Sequence, residues 1–267
     1  MSALELCIEG IGFWAPGYPD WNAARAGLRD GTPADPAAPA KPSPAMLPPA
    51  ERRRAPQPVL LACEVAAQAC AASGHAPDSL ASVFASTHGD LIITDYMCST
   101  LASAPRELSP IRFHNSVHNA PAGYWTIAAH CHIASTSVSS WHASFATALF
   151  EAAVEACAEN APVLLVAYDT ESTGPLLAVS PATSIFGVAL VLAPAAGRAP
   201  TLRLALRGEA SEASLPVGLP SDLANLAAGN PMAAGALPLL VALAAGGKAR
   251  LQLPAGLPGT LDVELDA

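Results

Sequence analysis

Charged residues are scarce in this sequence. Asp, Glu, Lys and Arg make up 13% of the 267 residues and hydrophobic residues 52%, whereas a typical soluble domain has about 25% charged residues. The formal net charge is −9, which argues against a surface that binds nucleic acid or anionic lipid. A chain with so little charge has less surface that must contact water, and this hints that a protein partner covers part of it.

Long apolar runs and targeting signals are also missing. A membrane-spanning helix needs about 20 apolar residues, and the longest apolar run, residues 236–245, has the length of a core helix. The N-terminal residues 4–10 alternate like a strand and have neither the basic nor the apolar region of a signal peptide. We therefore expect no membrane span and a cytoplasmic protein.

Cysteine, histidine and glycine are present without the spacings of metal or nucleotide sites. The six cysteines contain no CxxC pair and several lie in apolar helical patterns, which favours reduced core thiols. His130, Cys131 and His132 are neighbours, but adjacent helical side chains point apart, so we expect no metal there. Gly10-Ile11-Gly12 has the spacing of a GxG turn but not the βαβ setting of a dinucleotide site, so no such cofactor is expected.

Residues 109–157 combine turn signals, small-residue helical patterns and clustered polar side chains. Asn119 and Pro121 predict the start of a helix that runs to about residue 129, with Asn119 as its cap. The small and β-branched residues 135–139 predict a buried strand. Residues 143–157 are mostly Ala, Phe, Leu and Val, which predicts a helix buried on most sides.

His142 lies at the junction between that predicted strand and helix, where backbone N–H groups lack partners within the helix. A strand, a tight turn and a buried helix, with a reactive side chain at the turn, are the geometry of a nucleophile elbow. Hydroxyl groups of Ser139, Ser140 and Ser144 are near in sequence, and Cys131 is the nearest thiol. The alternative is that His142 is simply a packed, hydrogen-bonded histidine.

Apolar runs and alternation predict the remaining elements. Strands are expected at 4–13, 80–86, 162–168, 185–193, 201–207, 251–253 and 261–265, and further helices at 21–28, 58–73 and 230–246. The unbroken apolar run 162–168 predicts a strand covered on both faces. Residues 31–49 are rich in Pro and Ala and predict an exposed connection.

Several motifs of this chain resemble those of the β-ketoacyl synthases. Ser109-Pro110, Asn119 and Gly123 match the family's S-P-…-N-x-x-x-G segment. The run FHNSVHNAPAGYW at 113–125 and the SFA…LxEA helix at 144–152 are similar to short ketosynthase-like proteins of aryl-polyene biosynthetic clusters. The resemblance implies an α/β thiolase-like fold in a single domain, 1–267, with an N-terminal half to about 194 and a truncated second half at about 195–267.

The same resemblance implies that the catalytic machinery is missing. Counted from Asn119 and Gly123, the family's nucleophilic Cys falls on His142, its motif Ser on Ser144, and its Gly on Phe145. The family's second half supplies two histidines, whereas none of the seven histidines here follows His142. We therefore expect a non-catalytic subunit of the chain-length-factor kind, with no cofactor or metal of its own.

The resemblance also implies an interface. In the family, the strand before the nucleophile joins two subunits, and the preceding loop approaches the partner's acyl tunnel. The corresponding residues are Ser135, Thr136, Ser137, Val138 and Ser139 for the strand, and Ile111, Arg112 and Phe113 for the loop. The implied partners are an active ketosynthase, in a heterodimer, and an acyl carrier protein that brings its own phosphopantetheine.

Two alternatives stay open. The chain could be a stand-alone acyl-thioester hydrolase or acyltransferase that uses Ser140 or Ser144 with His142, although adjacent residues at a strand–helix junction rarely point together and no orienting Asp is near in sequence. The basic run Glu51-Arg52-Arg53-Arg54 is either a solvated helix start or a contact for an acidic carrier protein.

Overall fold

The computed structural model describes residues 3–199, 201–208, 219–256 and 259–266. Its helices are α1 (Trp21–Asp30), α2 (Pro49–Arg54), α3 (Gln57–Ser73), α4 (Leu91–Ser103), α5 (Pro110–Asn115), α6 (Ala120–Ala128), α7 (Ser144–Glu159), α8 (Ser221–Ala228) and α9 (Pro231–Ala245). Its strands are β1 (Leu4–Trp14), β2 (Ala81–Ala85), β3 (Ser135–Val138), β4 (Val163–Asp169), β5 (Phe186–Pro194), β6 (Leu202–Arg207), β7 (Lys248–Pro254) and β8 (Thr260–Asp266). Among the described helices, none is long and apolar enough to cross a membrane.

These strands form one mixed sheet in the order β3-β2-β4-β5-β1-β6-β8-β7. β3, β2 and β4 are parallel, and the other neighbouring strands are antiparallel. The fold is therefore the predicted mixed α/β, thiolase-like one, in a single half-domain. The chain after β5 extends this same sheet with β6, β8 and β7, and the division into two halves near residue 194 stays a prediction.

Helices cover both faces of the sheet. The side chains of β4 therefore alternate between two cores, one on each face. Val163, Leu165 and Ala167 pack with α7 and α9 in the first core. Leu164 and Val166 pack with α3 and α6 in the second. Every residue of β4 is buried, which confirms the prediction of a strand covered on both faces.

Gly10 and Gly12 lie inside β1, which confirms the strand predicted at 4–13, and their GxG spacing does not form a turn. An ideal Cβ at Gly12 would lie 2.0 Å from the carbonyl oxygen of Val65 on α3, and one at Gly10 would lie 2.2 Å from that of Ala69. The two glycines are thus required by the close approach of α3 to β1, and not by a turn.

The segment 110–115, expected as a loop, is the short helix α5. Its start follows the ordinary capping rules, since the Ser109 hydroxyl accepts the N–H of Arg112 at 3.4 Å and Pro110 occupies the first turn. Helices α4 and α8 were not expected from the sequence either. The Asn119 side chain makes no capping hydrogen bond to α6, contrary to expectation.

β3 is not the buried strand that its small residues predicted. It lies at one end of the sheet, pairs with β2, and leaves its residues exposed or half-buried. The connection 31–49 has no helix before α2 and no strand, as expected, although Leu47 within it is buried against the α3 core.

Candidate functional site

The candidate site lies where the three parallel strands end. The loops after β2, β3 and β4 meet at the carboxyl edge of this part of the sheet. This edge is the usual place for ligand sites in α/β folds. It contains Thr87 and His88 after β2, Trp141 and His142 after β3, and Asp169 at the end of β4.

The turn between β3 and α7 has the elbow geometry that the sequence predicted. Trp141 has a φ of 52°, a left-handed conformation that costs a bulky residue about 1–3 kcal/mol. The Ser144 hydroxyl accepts the N–H of Ser140 at 2.8 Å and donates to the carbonyl oxygen of Trp141 at 2.6 Å. Ser144 is only 1% exposed, so its hydroxyl holds the turn together and is not presented to a substrate.

His142 is exposed on this turn and belongs to a row of aromatic rings. Its imidazole stacks on the Trp141 indole, with 5.2 Å between ring centroids. The same indole makes a T-shaped contact with the His88 ring, with 4.6 Å between the ring centroids. Burial lowers the pKa of His88 below its usual 6.5, and positive charge on His142 or His118 lowers it further.

Asp169 is a candidate site residue that the sequence analysis did not identify. Its buried carboxylate accepts hydrogen bonds from the Ser86 hydroxyl at 2.8 Å, the Thr87 N–H at 2.8 Å and the Thr87 hydroxyl at 2.5 Å. The Ser139 hydroxyl then donates to the Thr87 carbonyl oxygen at 2.8 Å, so the three loops are tied together. Burial raises the pKa of Asp169, and these hydrogen bonds oppose the rise.

A cavity of about 690 Å³ opens beside His142. It lies between the first turns of α7 and α9 and the end of β7. Its lining residues are Ser140, Trp141, His142, Ala143, Ala146, Pro231, Ala234, Gly235, Leu253, Pro254 and Gly256. Among the described residues, no group of three or more His, Cys, Asp or Glu side chains is placed to hold a metal ion.

A second cavity, of about 490 Å³, lies between α6 and the edge strand β3. It is lined by His118, Asn119, Ala122, Gly123, Thr126, Ser135 and Ser137. A Cβ added at Gly123 would meet nothing within 4 Å. The packing of this chain alone therefore does not require glycine at that position.

Exposed large hydrophobic side chains are concentrated between residues 92 and 141. This exposed apolar segment contains eight of the twelve that the described part of the chain shows, namely Ile92, Leu101, Ile111, Phe113, Val117, Ile127, Ile133 and Trp141. They lie on α4, α5 and α6, on the loop between α5 and α6, and on the loops that flank β3, and Ile127 is 78% exposed. A concentration of exposed apolar side chains is a feature of many protein–protein interfaces.

The residues predicted from the sequence therefore occupy four different surroundings. His142 and Ser140 line the cavity, whereas Ser144 and Phe145 are buried in the turn and the core. Ser135, Thr136, Ser137 and Val138 form the edge strand, with Ser139 just beyond it. Ile111 and Phe113 are exposed on α5, and Arg112 lies over the ring of Tyr96, 3.9 Å from its centroid.

Comparison with known families decides the family of this chain. Residues 21–226 match the family described as "Beta-ketoacyl synthase, N-terminal domain". The chain belongs to this family. No curated protein matches the sequence.

Among solved structures, the chain is similar to one in the complex of the ketosynthase ApeO with its chain length factor ApeC from Xenorhabdus doucetiae. The identity is 26%, the match covers 97% of this chain and 99% of that one, and the TM-score is 0.72. The ishigamide ketosynthase/chain length factor matches at 17% identity over 98% and 99% of the two chains, with a TM-score of 0.73. A chain of the AntDE:AntF complex, a type II polyketide ketosynthase with its acyl-carrier protein, matches at 12% identity over 100% of both, with a TM-score of 0.71; these last two show the fold alone.

Proposed function

We propose that this chain is a non-catalytic, chain-length-factor-like subunit, which pairs in the cytoplasm with an active β-ketoacyl-ACP synthase and shapes its acyl tunnel in aryl-polyene or related biosynthesis. The observation that carries the proposal is the elbow itself. We infer that His142 occupies the place of the family's nucleophilic cysteine on this turn. The nearby Ser144 hydroxyl makes hydrogen bonds to two backbone groups of the turn. Cys131, the nearest thiol in sequence, is buried before the start of β3, at the opposite end of that strand.

The surface around β3 supports the pairing. β3 is an edge strand without a charged residue or proline, and no described strand lies on its outer side. β7, at the other edge, carries Lys248, Arg250 and Pro254, which are residues that discourage strand pairing. Of the two edges, β3 is therefore the one suited to pair with another chain, and it lies among the elements of the exposed apolar segment.

The similarity to solved complexes points in the same direction. Two of the matching structures are described as a ketosynthase together with a chain length factor. At 26% identity, nearly the whole of this chain aligns with nearly the whole of a chain from the first of them. We infer a heterodimer from this similarity together with the edge strand and the exposed apolar segment.

The tunnel-shaping role falls on α5. Ile111 is 62% and Phe113 58% exposed, so neither side chain contributes much to the core of this chain. We propose that both point into the partner's tunnel and limit its length. Arg112 lies over the ring of Tyr96 on α4, and we propose that it belongs to the interface rather than to the tunnel.

The acyl carrier protein, which brings the phosphopantetheine, is proposed to dock mainly on the ketosynthase. The net charge of −9 on this chain would repel an acidic carrier. Within the basic run on α2, the Arg52 guanidinium donates to the carbonyl oxygen of Pro44 at 3.3 Å. That contact supports a structural role for Arg52, which braces the preceding connection.

The hydrolase or acyltransferase alternative has less support. Ser144 is buried with its hydroxyl occupied. Ser140 and His142 both line the cavity, but no hydrogen bond between their side chains is present among the described residues. The buried Asp169 binds Ser86 and Thr87, so it does not orient His142 as a triad carboxylate would.

Acyl transfer tests the proposal. The purified pair is incubated with an acyl carrier protein that carries an acyl thioester, and each subunit is then weighed by intact-mass spectrometry. We expect the added acyl mass on the ketosynthase and none on this chain. A stoichiometric acyl adduct on this chain would overturn the proposal.

A further inference from the structure

A third and much smaller cavity lies beneath the loop that joins α5 to α6. Its volume is about 10 Å³, which is close to the space that one water molecule needs inside a protein. The start of α3, the loop after β2 and the α5–α6 loop surround it, and Tyr168 lines it from the end of β4. The cavity is therefore too small for an organic ligand and large enough for one water molecule.

The Tyr168 hydroxyl is the group at this cavity that lacks a partner. Tyr168 packs in the second core with Leu164 and Val166 of the same strand face, and it is only 1% exposed. Its hydroxyl oxygen is buried, and the described part of the chain offers it no hydrogen-bond partner. A buried hydroxyl that has lost water and gained no partner lowers the stability of the folded state. Phenylalanine would fill the same space without that cost, so we expect the hydroxyl to bond to a molecule outside the chain.

Two other polar side chains line the same cavity, those of Asp90 and Asn115. The Asp90 carboxylate caps α4 by accepting the N–H of Ile93 at 2.9 Å, and a carboxylate can accept further hydrogen bonds. The Oδ1 atom of Asn115 accepts the Tyr124 hydroxyl at 3.2 Å, and the amide group of Asn115 can donate. With Tyr168 they supply the roughly three partners that an internal water molecule typically has.

The protonation of these groups suits water. Burial raises the pKa of Tyr168, and the nearby acidic groups, Asp169 and Asp90 among them, raise it further. The hydroxyl is therefore protonated at neutral pH and able to donate. A water molecule accepts from such a hydroxyl and donates to a carboxylate at the same time, so it satisfies Tyr168 and Asp90 together.

The loop over this cavity carries part of the exposed apolar segment. Val117 in this loop is 51% exposed, and the residues on either side of the Ser116–Val117 pair, Asn115 and His118, both line the cavity. The Nε2 atom of His118 donates to the carbonyl oxygen of Ser86 at 3.1 Å, which attaches the loop to the end of β2. A molecule held between Asn115 and Tyr168 would attach the same loop to the end of β4.

We propose that this cavity binds one water molecule, which fastens the α5–α6 loop to the sheet. The water accepts hydrogen bonds from the Tyr168 hydroxyl and the Asn115 amide, and it donates to the Asp90 carboxylate. It thereby helps to hold Val117 at the surface. The site lies within this chain and does not depend on the pairing proposed above, so each idea can fail without the other.

Tyr168→Phe gives opposite results for a hydroxyl with and without a bound water. The change removes the hydroxyl and keeps the ring in the core. Removal of a hydroxyl that had no partner would leave the urea midpoint of the full chain unchanged or raise it. With water bound, the same change breaks a hydrogen-bonded network, so we expect the midpoint to fall. A midpoint equal to or above that of the wild type would overturn the proposal.

A double-mutant cycle tests whether the water links Tyr168 to Asn115. No direct hydrogen bond joins these two side chains among the described residues, so a bound water is the proposed source of coupling. Tyr168→Phe and Asn115→Ala together should lower the urea midpoint by less than the sum of the two single shifts. The matched control is Ser116→Ala, because the Ser116 hydroxyl donates to the Phe113 carbonyl oxygen at 2.8 Å and does not line the cavity. Its shift should add to that of Tyr168→Phe, and additive shifts in both cycles would overturn the proposal.

A crystal structure of the wild-type chain, alone or with its ketosynthase, tests the site without any variant. We expect electron density for one water within hydrogen-bond distance of Tyr168, Asp90 and Asn115. Absence of that density would overturn the proposal. So would a urea midpoint that rises when sodium or potassium chloride replaces choline chloride at equal ionic strength and that no longer does so in Tyr168→Phe, because that result would assign the site to a monovalent cation.

Discussion

Ser144 shows how a residue of a family motif can have a structural role. By the resemblance to the family motif, the nucleophile position falls on residue 142, and the turn there has the elbow geometry. The Ser144 hydroxyl satisfies two backbone groups of that turn. Relative to the family motif, this chain therefore keeps the turn but not the nucleophilic cysteine.

His88 makes the stability of the chain depend on pH. Its pKa is lowered in the folded state, first by burial and then by the neighbouring His142 and His118. Between that lowered pKa and the unfolded value near 6.5, the unfolded chain binds more protons than the folded one. Stability should therefore be fully present above pH 6.5 and should fall as the pH drops below it, as measured by urea unfolding from pH 7.5 to 5.

The matched variants for this prediction are His88→Phe and His132→Phe. His88→Phe keeps a ring against Trp141 but removes the titrating group, so the pH dependence should flatten. His132 is exposed, and its replacement should leave the slope nearly unchanged. If the free energy of unfolding depends on pH equally in the wild type and in His88→Phe, then other groups cause the loss of stability at acid pH.

At the scale of single residues, the sequence placed the turn that contains His142 but not the cap of α6, because Asn119 makes no capping hydrogen bond. His142, Ser144 and Phe145 were placed by counting from Asn119 and Gly123. Asp169 was missed because its partners Ser86 and Thr87 lie in the loop after β2, more than 80 positions earlier in the chain. The available signal was a carboxylate directly after the fully apolar run of β4.

At the scale of elements, the tunnel-shaping role proposed for α5 predicts an effect on product length. Ile111→Ala and Phe113→Ala should lengthen the polyene made by the pair, because removing a bulky side chain removes a steric stop. The total turnover of the pair should be affected less than the length of the product. Chromatography with mass detection compares the products, and Val179→Ala, an equally exposed apolar position outside the segment, is the control.

Product lengths that stay the same in both α5 variants would exclude this helix as the ruler. In that case, Ile111 and Phe113 would contribute only contact area to the interface. Loss of pairing in either variant, seen by size-exclusion chromatography, would likewise assign these side chains to the interface and not to the tunnel.

Substitution of Gly123 on α6 tests whether a partner subunit occupies the cavity beside β3. Glycine in a helix is about 0.5–1 kcal/mol less favourable than alanine, and nothing in this chain lies within 4 Å of its missing Cβ. Gly123→Leu should therefore leave the unfolding midpoint of the isolated chain unchanged or raised. The same change should abolish co-purification with the ketosynthase, whereas Ala72→Leu on the exposed side of α3 should not. Normal pairing of Gly123→Leu would contradict this use of the cavity.

The elements that the sequence predicted correctly are those with strong local patterns. β4, β5, α3, α7 and α9 have long apolar runs, clear caps or both. β3 was misread as buried because its small residues are also suited to an edge, and only the order of strands distinguishes the two. α4 and α5 carry exposed apolar side chains and thus lack the polar outer face by which a surface helix is ordinarily found.

At the scale of the whole molecule, the scarcity of charge and the exposed apolar segment both agree with the pairing proposed above. The described structure buries two cores on the two faces of one sheet and leaves some apolar side chains of α4, α5 and α6 exposed, among them Ile92, Phe113 and Ile127. The hint drawn from composition, that a partner covers part of the surface, agrees with this distribution. Composition alone could not indicate which face it would be, because it contains no information on position.

The central claim is that this chain supplies a surface to its partner and not a catalytic group. The most direct test is the turnover of the ketosynthase reconstituted with wild-type chain, His142→Ala, Ile127→Glu or Val179→Glu. We predict that His142→Ala and Val179→Glu stay within a few-fold of the wild type, while Ile127→Glu loses pairing and turnover together. A fall of about 10²–10⁴-fold in His142→Ala, the size expected for a general acid or base, with normal turnover in Ile127→Glu, would contradict the account.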